Sequence, residues 1–155
     1  MTVRDRFEVL RTAEVASPDD LDALWADLAV TTVPEMLGSW RGGDFATGHP
    51  AGALLTGLRW HGKRFDSPLD GHPLICVGDD GEPYSNTKAA GGGRSSLWEV
   101  AFRDQVTATM VYDALPVLDH FKRIDADTVM GIMNGKLEAV FGTPDLYYFW
   151  LERDR

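Results

Sequence analysis

Residues 38–42, Gly38-Ser39-Trp40-Arg41-Gly42, begin the first long strand of the chain and indicate the kind of sheet that it enters. Glycine is favoured where no side chain fits or where the backbone turns unusually. The tryptophan between the two glycines has a large apolar ring, and its N–H needs one partner when it is buried. The stretch therefore predicts a strand that enters a closed or nearly closed sheet, with the Trp40 indole filling one end.

Composition and charge limit the classes of function. The chain has 155 residues, 44% of them hydrophobic and 25% charged, which is typical of a single globular domain over residues 1–155. Fifteen Lys and Arg against 24 Asp and Glu give a formal net charge of -9, which repels phosphate backbones and anionic lipid surfaces. We therefore expect no nucleic-acid binding. No apolar run approaches the roughly 18 residues that a membrane helix requires, so we expect no membrane insertion.

The single cysteine, Cys76, excludes an intramolecular disulfide and favours a reducing compartment. No apolar segment typical of a signal peptide follows the N-terminus, so the expected location is cytoplasmic. Cys76 lies in the apolar run 73–77, where a buried hydrophobic side chain is a simpler interpretation than a catalytic thiol. The oligomeric state is left open, with a homodimer as one alternative.

The N-terminal segment, residues 1–30, has a helical pattern. Ser17 and Pro18 form a helix start, with a capping residue followed by a proline at the first helical position. Apolar side chains then recur at helical spacing and form one stripe, at Leu21, Leu24, Trp25 and Leu28. We expect helices over 3–14 and 18–29 whose apolar side packs on a sheet.

Residues 34–155 have the pattern of consecutive strands. β-branched and aromatic residues between turn signals predict extended segments at 36–45, 62–65, 73–77, 97–102, 106–112, 117–124, 128–133 and 146–152. A short helix at 50–60 and a glycine-rich loop at 86–96 interrupt them, and Asn134-Gly135 is the strongest short hairpin signal. About eight antiparallel strands in a meander can close into a barrel around a ligand. The expected fold class is mainly β (α+β), a small β-barrel with the N-terminal helices packed on it.

The hairpin of residues 106–124 carries the best polar constellation in the chain. Pairing of Asp113 with Pro116 places Met110 opposite Asp119 on the neighbouring strand. One face of the hairpin then carries Tyr112, Asp119, Phe121 and Arg123, and the other carries His120 and Lys122.

Two chemistries fit these residues. A carboxylate among apolar side chains has its pKa raised unless Arg123 compensates its charge, so Asp119 could act as a general acid or base. Arg123 and Tyr112 could instead anchor the polar end of a ligand. An Asp–Arg pair that only fixes strand pairing is the plain alternative. His120 is solvated if its face points outward and a proton carrier if it points inward, and the register leaves that direction open.

Gly38, Trp40 and Gly42 match the signature of the GXWXG family, in which the motif domain is followed by a second segment of unknown function. Residues 110–125 and Gly131 resemble that second segment. Together the two resemblances cover nearly the whole chain beyond the N-terminal helix. They imply membership of the family without implying a particular activity.

A second resemblance is to the calycin barrels, namely lipocalins, fatty-acid-binding proteins and nitrobindins, which share a Gly-x-Trp at the first strand. In lipocalins a late arginine packs across that indole, and Arg153 occupies the comparable place here. The resemblance implies a contact between Arg153 and Trp40, worth about 0.5–2 kcal/mol. Nitrobindins have a glycine where this chain has Asp44 and a late haem-ligating histidine, whereas no histidine follows His120. Haem is therefore disfavoured, and no other cofactor is expected.

No metal site is expected from the sequence. The four histidines show no ligand-like spacing and have no cysteine companion: His49, His61, His72 and His120. His61 and His72 could meet in space, but histidines in loops are more often solvated.

Two functional hypotheses follow. The first is a lipocalin-like protein that binds a hydrophobic or amphipathic small molecule, such as a lipid, in a barrel cavity. Its candidate ligand-binding residues are Trp40, Met110, Tyr112, Asp119, His120, Phe121 and Arg123. The second is a small cofactor-free enzyme of the isomerase or cyclase type, with Asp119 or His120 transferring a proton. A third interpretation, a filled barrel that serves as an interaction module, differs from both because it leaves no cavity. Binding is favoured because no reactive constellation is compelling.

Overall fold

The computed structural model describes residues 1–155 as a mainly β protein with five helices and ten strands. The helices are α1 (Val3–Thr12), α2 (Pro18–Ala26), α3 (Val33–Met36), α4 (Pro50–Gly57) and α5 (Leu137–Phe141). The strands are β1 (Ala29–Val30), β2 (Gly38–Asp44), β3 (Trp60–Ser67), β4 (Asp70–Val77), β5 (Pro83–Ser85), β6 (Ser95–Phe102), β7 (Gln105–Tyr112), β8 (Val117–Asp125), β9 (Thr128–Gly135) and β10 (Tyr147–Arg153). None of the helices combines the length and the apolar character needed to span a membrane.

All ten strands belong to one antiparallel sheet, which confirms the predicted mainly β class and gives two strands more than the eight predicted segments. The strand order is β1-β8-β7-β6-β4-β3-β2-β10-β9, and β8 also pairs with β9, so eight of the strands follow one another around a ring. The short strands β1 and β5 lie outside this ring, paired with β8 and β4. The junction between β4 and β6 is the narrowest, because Gly71 and Ser95 are its single pair of matched residues.

The Gly-x-Trp-x-Gly stretch forms the beginning of β2. Gly38 has a φ of 109°, in the region that favours glycine. Trp40 is buried, and its Nε1 donates a hydrogen bond of 2.8 Å to the carbonyl oxygen of Met36. A Cβ atom on Gly42 would lie 2.1 Å from the ring of Trp60. The motif therefore buries the indole of Trp40 and, at Gly42, leaves the space that the indole of Trp60 occupies.

Arg153 packs against Trp40, which confirms the predicted contact. The guanidinium carbon lies 3.9 Å from the centre of the Trp40 ring. The two terminal nitrogens of Arg153 donate hydrogen bonds to the carbonyl oxygens of Leu37 and Glu35. The side chain thereby joins the end of β10 to α3 and covers the Trp40 end of the sheet.

Helices α1 and α2 pack on β9 and β10, on the face turned away from the main apolar cluster. Phe7 of α1 is buried edge-on against Phe45 and Trp150, with ring centres 5.9 and 6.3 Å away. Buried Lys122 donates a hydrogen bond of 2.7 Å to the carbonyl oxygen of Trp25 in the last turn of α2. A cation is favourable at that end of a helix. The prediction that the N-terminal helices pack on the sheet is therefore confirmed.

The hairpin predicted at Asn134-Gly135 does not form. Asn134 still pairs with Leu118 inside the sheet. Helix α5 then intervenes before β10 begins. Gly135 has a φ of 122°, and a Cβ atom there would lie 2.6 Å from the carbonyl oxygen of Pro116. Close approach of two backbones, rather than a two-residue turn, is thus the reason for glycine at this position.

Candidate functional site

A cavity of about 250 Å³ lies at the end of the sheet opposite Trp40. Of its 17 lining residues, 15 are hydrophobic, and the two that are not are Lys63 and Asp119. The cavity is therefore an apolar space with one charged pair in its wall. The helices α4 and α5 close this end with Ala51, Leu54, Leu55, Val140 and Phe141.

Lys63 and Asp119 form a buried ion pair. The Lys63 Nζ lies 2.9 Å from Asp119 Oδ2, and the side chains are 3% and 0% exposed. The ammonium also donates a hydrogen bond of 3.3 Å to the carbonyl oxygen of Pro73. The contact with Asp119 is not aligned as a hydrogen bond, and both carboxylate oxygens lack a hydrogen-bond partner. Leaving a buried acceptor unsatisfied is costly, so the carboxylate has capacity for a donor.

Three aromatic rings surround the Lys63 ammonium. Its nitrogen lies 5.7 Å from the ring centre of Trp60, 5.6 Å from that of Tyr112 and 5.3 Å from that of Phe149. Aromatic faces attract cations at such distances, and the attraction grows when water is excluded. The rings therefore hold the charge of Lys63 beside Asp119 rather than letting it reach solvent.

Two tyrosines, Tyr112 and Tyr147, complete the polar end of the cavity. Burial, followed by the charge of Asp119, raises the pKa of Tyr112 well above its usual range. Burial also raises the pKa of Tyr147, with the carboxylates of Asp44 and Asp119 adding to the effect. The Tyr147 hydroxyl lies buried near Asp44 without being aligned for a hydrogen bond to it. Both phenols therefore keep their protons at neutral pH and are available as donors.

The hairpin of β7 and β8 has the predicted register. Met110 lies opposite Asp119, and its neighbours Thr109 and Val111 lie opposite His120 and Leu118. Side chains alternate between the two faces of a strand, so this register turns Asp119 toward the cavity and His120 away from it.

The predicted ligand-binding residues divide into those at the cavity wall and those elsewhere. Tyr112 and Asp119 line the cavity. Trp40, Met110 and Phe121 belong to the same apolar cluster but lie outside the lining. Phe121 packs edge-on between Phe65 and Phe149, and thus forms part of the core that supports the cavity.

His120 lies on the face of β8 away from the cavity, so the expectation that it contacts a ligand there is revised. Its Nδ1 lies 2.8 Å from the Thr109 hydroxyl and its Nε2 lies 2.6 Å from the Asn134 side-chain oxygen. The ring stacks on Phe102 with centres 4.1 Å apart. Burial lowers the pKa of His120. These contacts describe a packed, neutral histidine of the sheet.

Arg123 is also away from the cavity, and its expected role as a ligand anchor is revised. Its guanidinium is 45% exposed and lies 3.2 Å from the Glu35 carboxylate. The pairing of β8 with β9 shifts register directly after Arg123, between it and Asp125. Arg123 still shares the face of Asp119, because its strand partner Val129 belongs to the main apolar cluster. It lies about 13 Å further along β8, beside Glu35, and therefore does not reach the cavity.

Lys63 and Tyr147 line the cavity but were not among the predicted site residues. The signal for Lys63 was present, because Phe65 lies two positions later in the same strand and is buried. A lysine two residues from a core phenylalanine faces the core in a regular strand. Tyr147 had no such signal, since residues 147–151 are all large and apolar or aromatic.

A separate group of metal-ligand types lies at the β3–β4 hairpin. The Nε2 of His72 lies 3.3 Å from a carboxylate oxygen of Asp66 and 3.3 Å from one of Asp70. Ser85 contacts the other ring nitrogen at 2.9 Å, and Arg94 pairs with Asp70 at 3.2 Å. A histidine bridging two carboxylates, the exposed Asp66 and the half-buried Asp70, accounts for this arrangement without an ion.

Comparison with known families and structures agrees with the resemblance in the motif. The family described as GXWXG protein matches residues 23–81, and the family described as a domain of unknown function (DUF4334) matches residues 93–153. A crystal structure of a protein from Thermomonospora curvata is 37% identical over 99% of this chain and 98% of that chain, with a TM-score of 0.87.

The chain belongs to the GXWXG family. This GXWXG protein carries the DUF4334 segment after the motif segment, and that second segment contains Tyr112, Asp119 and Tyr147. The motif segment supplies Trp60 and Lys63. Both segments therefore contribute to the cavity wall. No match was found among curated proteins.

Proposed function

We propose that this GXWXG protein binds a hydrophobic or amphipathic small molecule in the cavity between its sheet and helices α4 and α5. The supporting observation is the cavity of about 250 Å³, whose lining is apolar except for Lys63 and Asp119. Ligand sites generally combine apolar walls with a few polar groups that fix orientation. An interaction module with a filled interior is disfavoured, because it would leave no such space.

The proposal includes a small calycin-like barrel formed by the eight strands of the ring. It is supported by the pairing of β8 with β9. It is also supported by β10, where Tyr147, Phe149 and Leu151 belong to one apolar cluster and Tyr148 and Trp150 to another. The Trp40–Arg153 contact adds the feature that lipocalins place at a closed barrel end.

The cavity volume limits the size of the ligand. At the packing density of protein interiors, about three quarters of about 250 Å³ can be filled by atoms, which corresponds to about ten non-hydrogen atoms. A medium-length chain or a small ring system meets this limit. A haem does not.

The alternative function is proton-transfer catalysis of the isomerase or cyclase type, with Asp119 as the acid or base. The observation in its favour is that both oxygens of the buried Asp119 carboxylate lack hydrogen-bond partners at the cavity wall. His120 no longer belongs to this alternative. Turnover of a bound ligand with a pH profile that Asp119→Asn abolishes would favour catalysis over binding.

Isothermal titration with 1-octanol, a probe of suitable size, tests the binding proposal. We expect saturable binding with one site per chain. Leu55 lies half-buried in the cavity wall and Leu69 is exposed in the β3–β4 turn. Leu55→Trp should therefore abolish binding by filling the cavity, whereas Leu69→Trp should leave it unchanged. Absence of saturable binding to the wild-type protein, or equal binding by both variants, would refute the proposal.

Native mass spectrometry of protein purified from its own host addresses the natural ligand. A co-purifying molecule of about ten non-hydrogen atoms, lost in Leu55→Trp and kept in Leu69→Trp, would identify the ligand chemistry directly. A bound molecule that both variants retain would place the ligand elsewhere on the protein.

The proposed location is a reducing compartment such as the cytoplasm. It is supported by the single cysteine, Cys76, which lies buried in β4 with its pKa raised by burial. A thiol in this state is unreactive and suits a protein without disulfides.

A further inference from the structure

We propose that the polar end of the ligand is an uncharged hydroxyl group, which donates a hydrogen bond to Asp119 and accepts one from Tyr112. The inference rests on the proposed binding function and specifies the chemical class of the ligand. It follows from two independent features of the cavity wall, its charge balance and its unused hydrogen-bond capacity.

The charge balance favours an uncharged ligand. Lys63 and Asp119 lie 2.9 Å apart and together carry no net charge. A carboxylate ligand would bring a third, unpaired charge into a space where the ammonium of Lys63 is already committed. An ammonium ligand would have to compete with Lys63, which already uses the faces of three rings. Either charged ligand would therefore be desolvated without a free partner.

The hydrogen-bond capacity favours a group that both donates and accepts. The two oxygens of Asp119 can only accept from a ligand: Oδ1 has no donor from the protein, and Oδ2 has only the Lys63 ammonium, which is not aligned for a hydrogen bond. Tyr112 lines the same wall and its hydroxyl is a donor, and the buried hydroxyl of Tyr147, also in this wall, has no hydrogen-bond partner. An ether or ketone oxygen could accept from Tyr112 but would leave Asp119 unsatisfied. A hydroxyl satisfies both residues at once.

Four probes of matched length separate these head groups: 1-octanol, heptyl methyl ether, octanoate and octylamine. Isothermal titration at neutral pH gives the dissociation constant of each with the wild-type protein. A hydrogen bond to a charged acceptor is worth enough to predict that 1-octanol binds about tenfold to a hundredfold more tightly than the ether. We expect octanoate and octylamine to bind more weakly than 1-octanol as well.

The double variant Lys63→Met/Asp119→Leu tests whether the buried pair creates this preference. It replaces both charges by apolar side chains of similar length, which keeps the cavity neutral. We expect the variant to fold, to bind 1-octanol and the ether with affinities within about threefold of each other, and to unfold cooperatively on heating. The matched control is Glu35→Gln/Arg123→Met, which removes an exposed ion pair away from the cavity. The control should keep the wild-type preference for 1-octanol.

The outcomes distinguish this inference from the binding proposal. Equal affinity for 1-octanol and the ether, with both lost in Leu55→Trp, would overturn the hydroxyl assignment and leave cavity binding intact. Tighter binding of octanoate or octylamine than of 1-octanol would overturn it in favour of a charged ligand. A preference for 1-octanol that survives in Lys63→Met/Asp119→Leu would also overturn it. Failure of all four probes to bind would overturn both proposals.

Discussion

Removing one partner of the buried Lys63–Asp119 pair should destabilise the protein strongly, whereas removing both should not. The variants are Asp119→Leu, Lys63→Met and the two combined. Taking two charges out of water is costly, and their attraction offsets that cost only while both are present. A single substitution leaves one charge buried without its partner, while the double substitution leaves a buried apolar pair.

The structure gives the size and the order of the effects. Breaking a buried pair costs about 3–5 kcal/mol, and for a chain of this length each kcal/mol lowers Tm by about 2–4 °C. Asp119→Leu leaves Lys63 its hydrogen bond to the Pro73 carbonyl and its three aromatic neighbours. Lys63→Met leaves Asp119 without any partner. We therefore expect Lys63→Met to be the more destabilising of the two.

The measurement is a double-mutant cycle by urea unfolding, followed by tryptophan fluorescence and far-ultraviolet circular dichroism. The double variant should lie within about 1 kcal/mol of the wild type or above it, giving a coupling energy of several kcal/mol. The exposed pair of Glu35 and Arg123 serves as the control cycle, for which about 0–1 kcal/mol is expected. The reasoning is refuted if the two cycles give equal coupling energies, or if the double variant is less stable than both single variants.

Three further predictions concern Arg153, which packs on Trp40, Gly42 of the motif, and the buried His120. Arg153→Met should lower the free energy of unfolding in urea by about 2–4 kcal/mol, because it removes the contact with the Trp40 ring and two hydrogen bonds to backbone carbonyls. Arg155→Met, on the surface, should leave the free energy of unfolding almost unchanged. Gly42→Ala should lower both the stability of the protein and its affinity for 1-octanol, because the new Cβ would lie 2.1 Å from the indole of Trp60. The control Gly57→Ala, in α4 with open space around the new Cβ, should leave the stability unchanged or raise it. The pKa of His120 is lowered from 6.5 by burial, so the unfolded chain binds more protons there and stability should fall as the pH drops below 6.5. His120→Gln should flatten the dependence of stability on pH below 6.5. An unchanged slope in this variant would show that other groups cause the pH dependence.

The pairing of β7 with β8 could be predicted because a short turn and the alternation of apolar side chains determine it. The turn over residues 113–116 is short, and the alternation on both sides allows one register in which large apolar side chains share a face. Once the turn is placed, Met110 must lie opposite Asp119, as observed. The same reasoning placed Tyr112 and Asp119 together, and both line the cavity.

The partner of Asp119 could not be predicted in the same way. Lys63 lies on β3 and Asp119 on β8, two strands that do not pair with each other. Their approach depends on how the ring of strands bends back on itself, which no local pattern encodes. Arg123, on the same strand, was therefore the predicted partner of Asp119, but it lies further along β8 and pairs with Glu35 instead. Long-range contacts across a sheet interior are thus the part of this site that required a structure.

The motif has a closer relation to the cavity than its place in the sheet suggests. Trp40 is the strand partner of Lys63, so the register that buries the indole also turns the lysine toward the interior. Gly42 lies under the ring of Trp60, which is both a cavity wall and one of the three rings around the ammonium. A side chain on Gly42 would displace that ring. The glycine-bracketed tryptophan therefore positions the charged half of the site, although it contacts no part of the cavity itself.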